Sequence, residues 1–248
     1  MHNSFQGVSG GAPITIGSIS SSCADCSMHE LCLPAVINNQ DLDRLETIMS
    51  KRLRVERGES LYRAGDVFTS LYAVKLGHFK TVYSEGPATK QIIGFQMSGE
   101  ILGMEGIGGS RHKCSAIALE DSEVCEIPYS RLESLLAELP SLQAHFHRMM
   151  SREINREHQV MLLLGSMSAD QRVAAFLLNL SRRYETRGLS PNHFVLRMTR
   201  EDIGNYLGLT IESVSRVFSR FKKNDWIEGS PRDVRLLDRK ALEELCVS

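Results

Sequence analysis

The sequence predicts an α+β fold in three blocks: an N-terminal antiparallel β-roll, one long helix and a C-terminal winged helix-turn-helix. Three observations carry this. Short apolar and β-branched runs recur at roughly ten-residue spacing across residues 52–128, the apolar period becomes helical after Pro128, and two short capped helices joined through a glycine stand near the C-terminus. The chain has 248 residues, 42% of them apolar, which suffices for packed cores. Charged residues are 24% and the net charge is -1, so the chain is neither a disordered tail nor a polybasic strip. Charge divides unevenly: residues 166–248 hold 14 Lys+Arg against 11 Asp+Glu, net +3, which leaves net -4 before them.

The first 22 residues are rich in Gly and Ser without an apolar period and read as a flexible lead-in. They lack the basic and apolar regions of an export signal, and no apolar run is long enough to span a membrane. A cytoplasmic chain with no membrane partner is expected, and its six cysteines then belong to a reducing compartment. The strands are read from Ser60-Leu61-Tyr62 before Ala64-Gly65-Asp66, from residues 71–74 before Gly77, and from residues 79–83 before Glu85-Gly86-Pro87. Residues 91–95, 115–119 and 123–127 supply three more, and together they make a small antiparallel roll. Residues 103–109 are glycine-rich but lack the Gly-Lys-Ser/Thr ending of a nucleotide loop, so they read as a turn.

After Pro128, Leu132, Leu135, Leu136, Leu139, Leu142, Phe146 and Met150 begin one long apolar stripe. Within it Met150, Ile154, Glu157, Met161 and Leu164 step by four and three, the spacing of a two-helix seam with Glu157 inside it. Packing on the helix's own domain would use the same stripe. The charged flanks Arg152, Glu153 and Arg156 favour a homodimer seam.

Ser168-Ala-Asp-Gln171 is a capping box opening a helix through Val173, Phe176, Leu177 and Leu180. Thr199 then caps a short helix with Ile203 and Leu207 inward, and Gly208-Leu209 is the turn. Thr210 caps a second helix with Ile211, Val214, Val217, Phe218 and Phe221 inward. Its outer face carries Glu212, Ser215, Arg216, Ser219 and Arg220, and it ends in Lys222-Lys223. Spacings of three and four put Glu212, Ser215 and Arg216 on one side. Arg donates twice to guanine, Glu accepts from cytosine N4 and Ser serves either, so this face suits double-stranded DNA better than it suits a plain solvated surface. Residues 226–228 and 234–237, joined by Gly229-Ser-Pro-Arg232, read as a wing with Arg232 placed for phosphate.

Cys23-x2-Cys26-x5-Cys32 is the most specific chemical signal. Three thiols in ten residues can wrap a soft metal centre but lack a fourth ligand, for which His29, Cys114, Cys125 and Cys246 are the candidates. Spacing alone does not choose between zinc and an iron-sulfur cluster.

The order of thiol triad, β-roll, long helix and winged helix-turn-helix resembles the Crp-Fnr transcription regulators, and the details resemble their oxygen-responsive Fnr branch. The resemblance covers residues 23–245. Cys23-x2-Cys26-x5-Cys32-Leu-Pro34 is similar to that branch's cluster loop and Val124-Cys125-Glu-Ile-Pro128 to the segment with its fourth cysteine. By resemblance, Cys23, Cys26, Cys32 and Cys125 hold a 4Fe-4S cluster, and Glu212-x2-Ser215-Arg216 reads TTGAT-like half-sites with dyad symmetry. The resemblance further implies a roll of the cyclic-nucleotide-binding kind, a dimerisation helix bearing Met150, Ile154, Glu157, Met161 and Leu164, RNA polymerase as a partner, and no enzymatic activity. Oxygen would convert the cluster to a smaller form and dissolve the dimer.

Cyclic-nucleotide-binding members carry an Arg-Ser/Thr-Ala cassette after a Gly-Glu turn. Here Gly99-Glu100 is followed by Cys114-Ser115-Ala116, so the phosphate-binding Arg is absent and no cyclic nucleotide is expected. Fnr proteins often have Asp where this chain has Glu157. The chain divides at residues 1–33, arm and cluster loop; 34–139, β-roll; 140–167, dimerisation helix; and 168–248, winged helix-turn-helix. A zinc- or thiol-based redox regulator of the same fold is the alternative, and an iron-sulfur electron carrier a more distant one.

Overall fold

The structure is a computed structural model that describes Cys23 and residues 26–49, 51–84 and 89–247. The Gly/Ser-rich lead-in and the Glu85-Gly86-Pro87 turn lie outside the described residues.

Two four-stranded antiparallel sheets form the roll. The strands are β1 (Arg52–Val55), β2 (Ser60–Tyr62), β3 (Ser70–Leu76), β4 (His78–Ser84), β5 (Lys90–Met97), β6 (Ile101–Leu102), β7 (Cys114–Ala118) and β8 (Ser122–Pro128). They are ordered β1-β8-β3-β6 and β2-β7-β4-β5. Side chains alternate across each sheet. Val55, Val74 and Val124 of the first sheet meet Tyr62, Phe79 and Ala116 of the second in the core between them. The two outer faces are also apolar and also covered, which is why the central strands read as nearly continuous apolar runs.

Helices cover the first outer face. Helix α1 (Asn39–Ile48), which the sequence reading passed over, is capped by the Asn38 side chain accepting from Asp41 N–H at 2.9 Å. It packs Leu45 beside Leu71 and Ile127 of the sheet and Leu132, Leu135 and Leu136 of α2 (Tyr129–Glu138). The stripe read as continuous through Leu139 is in fact two helices, α2 and α3 (Pro140–Ser166). Pro140 disfavours helical geometry at Leu139, which is extended at φ -118°, ψ 90°, and itself fits the first helical turn, where an N–H is not needed. The first half of α3 buries Leu142, His145, Phe146 and Met149 on the roll.

The C-terminal unit comprises α4 (Ala169–Glu185), β9 (His193–Val195), α5 (Arg200–Leu207), α6 (Ile211–Lys223), β10 (Ile227–Gly229), β11 (Asp233–Leu236) and α7 (Arg239–Val247). The expected capping box forms at Ser168/Gln171, and the expected cap at Thr199 is a second such box with Asp202. The wing is three-stranded, ordered β10-β11-β9, because β9, unread in the sequence, adds to the expected hairpin. This unit lies on the outer face of the second sheet, where Val82, Ile92, Phe95 and Met97 share a core with Phe176, Ile203 and Phe218. No helix among the described residues is long and apolar enough to cross a membrane.

Candidate functional site

Helix α6 is built to present one face. Thr210 Oγ1 accepts from Ser213 N–H at 3.2 Å to start it, and Val214, Val217, Phe218 and Phe221 are buried beneath it. The α5–α6 turn is closed by two glycines. Gly208 takes φ +63°, and a Cβ on Gly204 would stand 2.6 Å from the Leu209 carbonyl oxygen. Ile211, expected inward, is instead 46% exposed at the first position of α6.

Glu212, Ser215, Arg216, Ser219, Arg220, Lys222 and Lys223 are all exposed. Ser215, Arg216, Ser219, Arg220 and Lys223 line one shallow depression. Hydrogen bonds from its own N–H and the Thr210 hydroxyl hold the Glu212 carboxyl below its usual range, keeping it an acceptor. Within α6, Arg216 donates to Ser213 Oγ at 3.3 Å and Ser219 to the Ser215 carbonyl at 3.0 Å, and two more of the expected reading residues are tied to other elements. Arg220 pairs with Asp170 of α4, and Lys222 donates to the Gly229 carbonyl, tying α6 to the wing. Arg200, which the sequence reading missed, lays its guanidinium over the Phe218 ring at 3.1 Å and leaves Nη1 without a partner; burial lowers its pKa to about 10.

At the other end, a chain of turns folds the thiol loop. Cys26 N–H donates to Cys23 O at 3.2 Å, His29 N–H to Cys26 O at 2.9 Å and Cys32 N–H to Met28 O at 3.1 Å. Leu33, fully buried, anchors the loop beside the helices over the first sheet. Cys125 stands on β8 between Arg52 of β1 and Ala73 of β3.

The structure brings Cys23, Cys26, Cys32 and Cys125 within electrostatic reach of one another. Burial pushes the Cys23 and Cys32 thiols up to about 12, each with smaller contributions from the other thiols, and it raises Cys125, where Cys26 adds to the effect. Arg52 acts on Cys23 and Cys125 in the opposite direction, and Lys75 on Cys125. Cys114 is buried at the start of β7 and Cys246 lies in α7, among different neighbours. Among the described residues, no three His, Cys, Asp or Glu side chains converge tightly enough to hold a single metal ion.

His145 joins this loop to α3, its Nε2 lying 3.2 Å from the Cys32 carbonyl oxygen in a buried contact. Burial lowers its pKa, which favours the neutral ring. A histidine standing between Leu142, Phe146 and Met149 on a buried helix face was the legible signal. The second half of α3 differs from the first. Met150 is half-buried, while Ile154, Met161 and Leu164 are 50%, 62% and 36% exposed and Glu157 is exposed beside them. Arg156, read as a solvated flank, is instead folded onto Glu100 and Glu153.

Inside the roll, His112 is buried, stacks on Tyr62 at 3.8 Å and lies 3.0 Å by Nδ1 from Glu105 Oε1. Ser115 Oγ accepts from Ala64 N–H, and Glu100 is taken up by arginines.

Residues 52–138 match the cyclic nucleotide-binding domain family, and residues 171–245 match the Crp-like helix-turn-helix domain. The transcriptional regulatory protein btr of Bordetella pertussis is 46% identical over 223 residues, which is 90% of this chain and 92% of that protein. The chain belongs to the Crp-Fnr family. This Crp-Fnr protein is 41% identical to the fumarate and nitrate reduction regulatory protein of Escherichia coli K12, over 90% of this chain and 89% of that one. It is 46% identical to the transcriptional activator protein Anr of Pseudomonas protegens, over 87% and 88%. Among solved structures, FixK2 from Bradyrhizobium japonicum superposes with a TM-score of 0.73 at 29% identity, covering 79% of this chain and 96% of that one. As a Crp-Fnr member the chain is a DNA-binding transcription regulator.

Proposed function

We propose that this regulator responds to oxygen as a cytoplasmic homodimer, with a 4Fe-4S cluster held by Cys23, Cys26, Cys32 and Cys125 and with TTGAT-like dyad sites as its DNA targets. The observation that carries this reading is that Cys23 and Cys125, from two chain segments, pack against the same buried cluster as Cys32, whose carbonyl is bonded to His145 of α3. The donor chemistry fits the group, because four sulfurs are the soft ligands that an iron-sulfur centre takes, and the described residues show no three metal-ligating side chains already converged on a metal site. Bound there, the cluster would supply a redox centre that dioxygen can degrade.

The chain's own residues do the rest. Leu33 and His145 hold the loop against α3, so the state of the loop bears on the exposed Ile154, Glu157, Met161 and Leu164 stripe at which two copies would pair. Helix α6 would then present Glu212, Ser215 and Arg216 to a major groove, with half-sites about one helical turn, ~34 Å, apart. The aromatic filling around His112 and the capture of Glu100 support a roll that takes no cyclic nucleotide. RNA polymerase is the expected partner at promoters, and the division at residues 33, 139 and 167 is retained.

The test is anaerobic purification. Broad brown visible absorbance is expected with iron and acid-labile sulfide in equal amounts, bleached by air together with specific DNA binding. Equimolar zinc instead would move the assignment to a thiol-based regulator.

For α6, Arg216→Ala is expected to cost about 1–3 kcal/mol at a TTGAT-type site and to relax preference at the guanine it contacts. Lys223→Ala should weaken all sequences alike and flatten the salt dependence. Lys222→Ala should do the same with an added loosening of the wing, because its ammonium also holds the Gly229 carbonyl. Titration against a series of half-site variants separates these. Equal losses for Arg216→Ala on specific and random DNA would make it a phosphate contact.

A further inference from the structure

The Gly-Glu turn that other family members use for a nucleotide has a different set of contacts here. Gly99 has φ +88° and lies under the thiol loop, so a Cβ on it would stand 2.9 Å from Leu31 Cβ and 3.6 Å from Met28 Sδ. Its backbone is fixed: Gly99 N–H donates to Val74 O at 2.8 Å, and Val74 N–H donates to Glu100 O at 2.8 Å. A shift of the loop at Leu31 is therefore met by a turn with little room to yield.

The next residue reaches the other way. Glu100 Oε1 accepts from Arg183 Nε at 3.1 Å and Arg187 Nη2 at 2.8 Å, while Oε2 accepts from Arg183 Nη2 at 2.6 Å and Arg156 Nη1 at 3.3 Å. Arg156 belongs to α3, Arg183 to α4, and Arg187 follows the end of α4. Arg183 and Arg187 also donate to the Phe95 and Ser98 carbonyls at 2.6 and 2.7 Å. The carboxylate thus joins roll, long helix and DNA-binding unit at one point. Burial by itself would raise its pKa, but Arg183, Arg156 and Arg187 outweigh that and hold it at about 2.

Lesser contacts follow the same seam. Lys80 pairs with Asp202 at 2.6 Å, and Asn205 accepts from Ile92 N–H at 2.5 Å while donating to Lys90 O at 2.9 Å. Between α3 and α4 the chain has only Met167 and Ser168, both extended, and Arg172 of α4 braces this junction by donating to the Leu164 and Met167 carbonyls, each at 2.9 Å.

We infer that Glu100 is a positioning residue for DNA reading: it fixes the orientation of the helix-turn-helix unit on the roll, and the thiol loop acts on it directly through Leu31 and Gly99. This route is additional to dimerisation. Its link to the thiol loop rests on the cluster reading, but the clamp does not. A two-state orientation lowers apparent affinity by the fraction of chains in the reading-competent state. Losing the carboxylate that these three guanidinium groups share should shift that fraction strongly.

The experiment compares wild type, Glu100→Gln, Glu100→Asp and Gly99→Ala, each with and without iron and sulfide loading. The readouts are sedimentation, DNA affinity and amide hydrogen exchange. Glu100→Gln is expected to keep wild-type iron content and dimerisation, to lose about tenfold or more in specific DNA affinity, and to exchange faster at residues 90–100 and 169–207. Glu100→Asp, which keeps the charge with shorter reach, should recover part of both. In wild type, loading should slow exchange at residues 97–100 and in α4, and Gly99→Ala should break that dependence. Wild-type affinity and exchange in Glu100→Gln would overturn the inference, as would a loss of DNA binding explained wholly by loss of the dimer. If loading fails in every variant the cluster reading falls, whereas the exchange of the unloaded chains still decides whether Glu100 is the clamp.

Discussion

Cys125→Ser is expected to abolish the visible absorbance of the anaerobic protein and its specific DNA binding together. Cys125 is held rigidly in β8, paired with Arg52 on one side and Ala73 on the other, so no neighbouring residue can slide in to replace its sulfur. A serine oxygen is a harder and poorer partner for iron than a thiolate. Cys23→Ser, Cys26→Ser and Cys32→Ser should each do the same, because four thiolates are needed to complete the ligand set. Cys114→Ser and Cys246→Ser are the controls and should leave iron, sulfide and DNA binding intact; Cys246 merely lies 3.9 Å from the Gln171 carbonyl. Iron and sulfide assays with visible spectra settle it. Full iron in Cys125→Ser would remove it from the ligand set.

Glu157→Ala is expected to give a dimer that binds DNA in air with no cluster. Glu157 lies among the exposed Ile154, Met161 and Leu164, so in a parallel two-fold pair the two carboxylates would face one another across an apolar seam. Two like charges about 4 Å apart repel by about 1–4 kcal/mol between water-like and surface-like dielectrics, so removing them should tighten association about fivefold or more. Glu157→Lys should restore the monomer. Burial and then Glu153 already raise the Glu157 pKa in the single chain, and a facing partner would raise it further. The dimer therefore binds more protons than the monomer, and wild-type association in air should strengthen as pH falls into the raised range of the paired carboxyls. That dependence should vanish in Glu157→Ala. Analytical ultracentrifugation measures both effects. A Glu157→Ala chain that stays monomeric where anaerobic wild type is dimeric would show that this stripe is not the seam.

Much of this protein was settled by the sequence alone, because the deciding signals are local. Capping at Ser168, Thr199 and Thr210 and the glycines of the α5–α6 turn act within a few residues, so both helices of the reading motif and its exposed face were legible. The same holds for most strands of the roll, whose turns punctuate them, and for the spacing of Cys23, Cys26 and Cys32. The helix start at Pro140 agrees with the division drawn at residues 139 and 140, although the apolar period alone carries on across it.

The tertiary structure decided what depends on partners far apart in the chain. Cys125 stands 93 positions beyond Cys32, and only the pairing of β8 with β1 and β3 brings it to the loop. Phe95 and Met97 look like ordinary strand residues, and nothing near them in sequence announces that their outer face is covered by α4 and α5. Arg156 reads as a charged flank of α3, and no local signal marks Arg183 in α4 or Arg187 just beyond it. They become a clamp only because folding delivers one carboxylate, Glu100, to all three. Apolar periodicity tells which side of an element is buried, but which element buries it, and which charge meets which, is fixed by packing between segments that the chain does not place side by side.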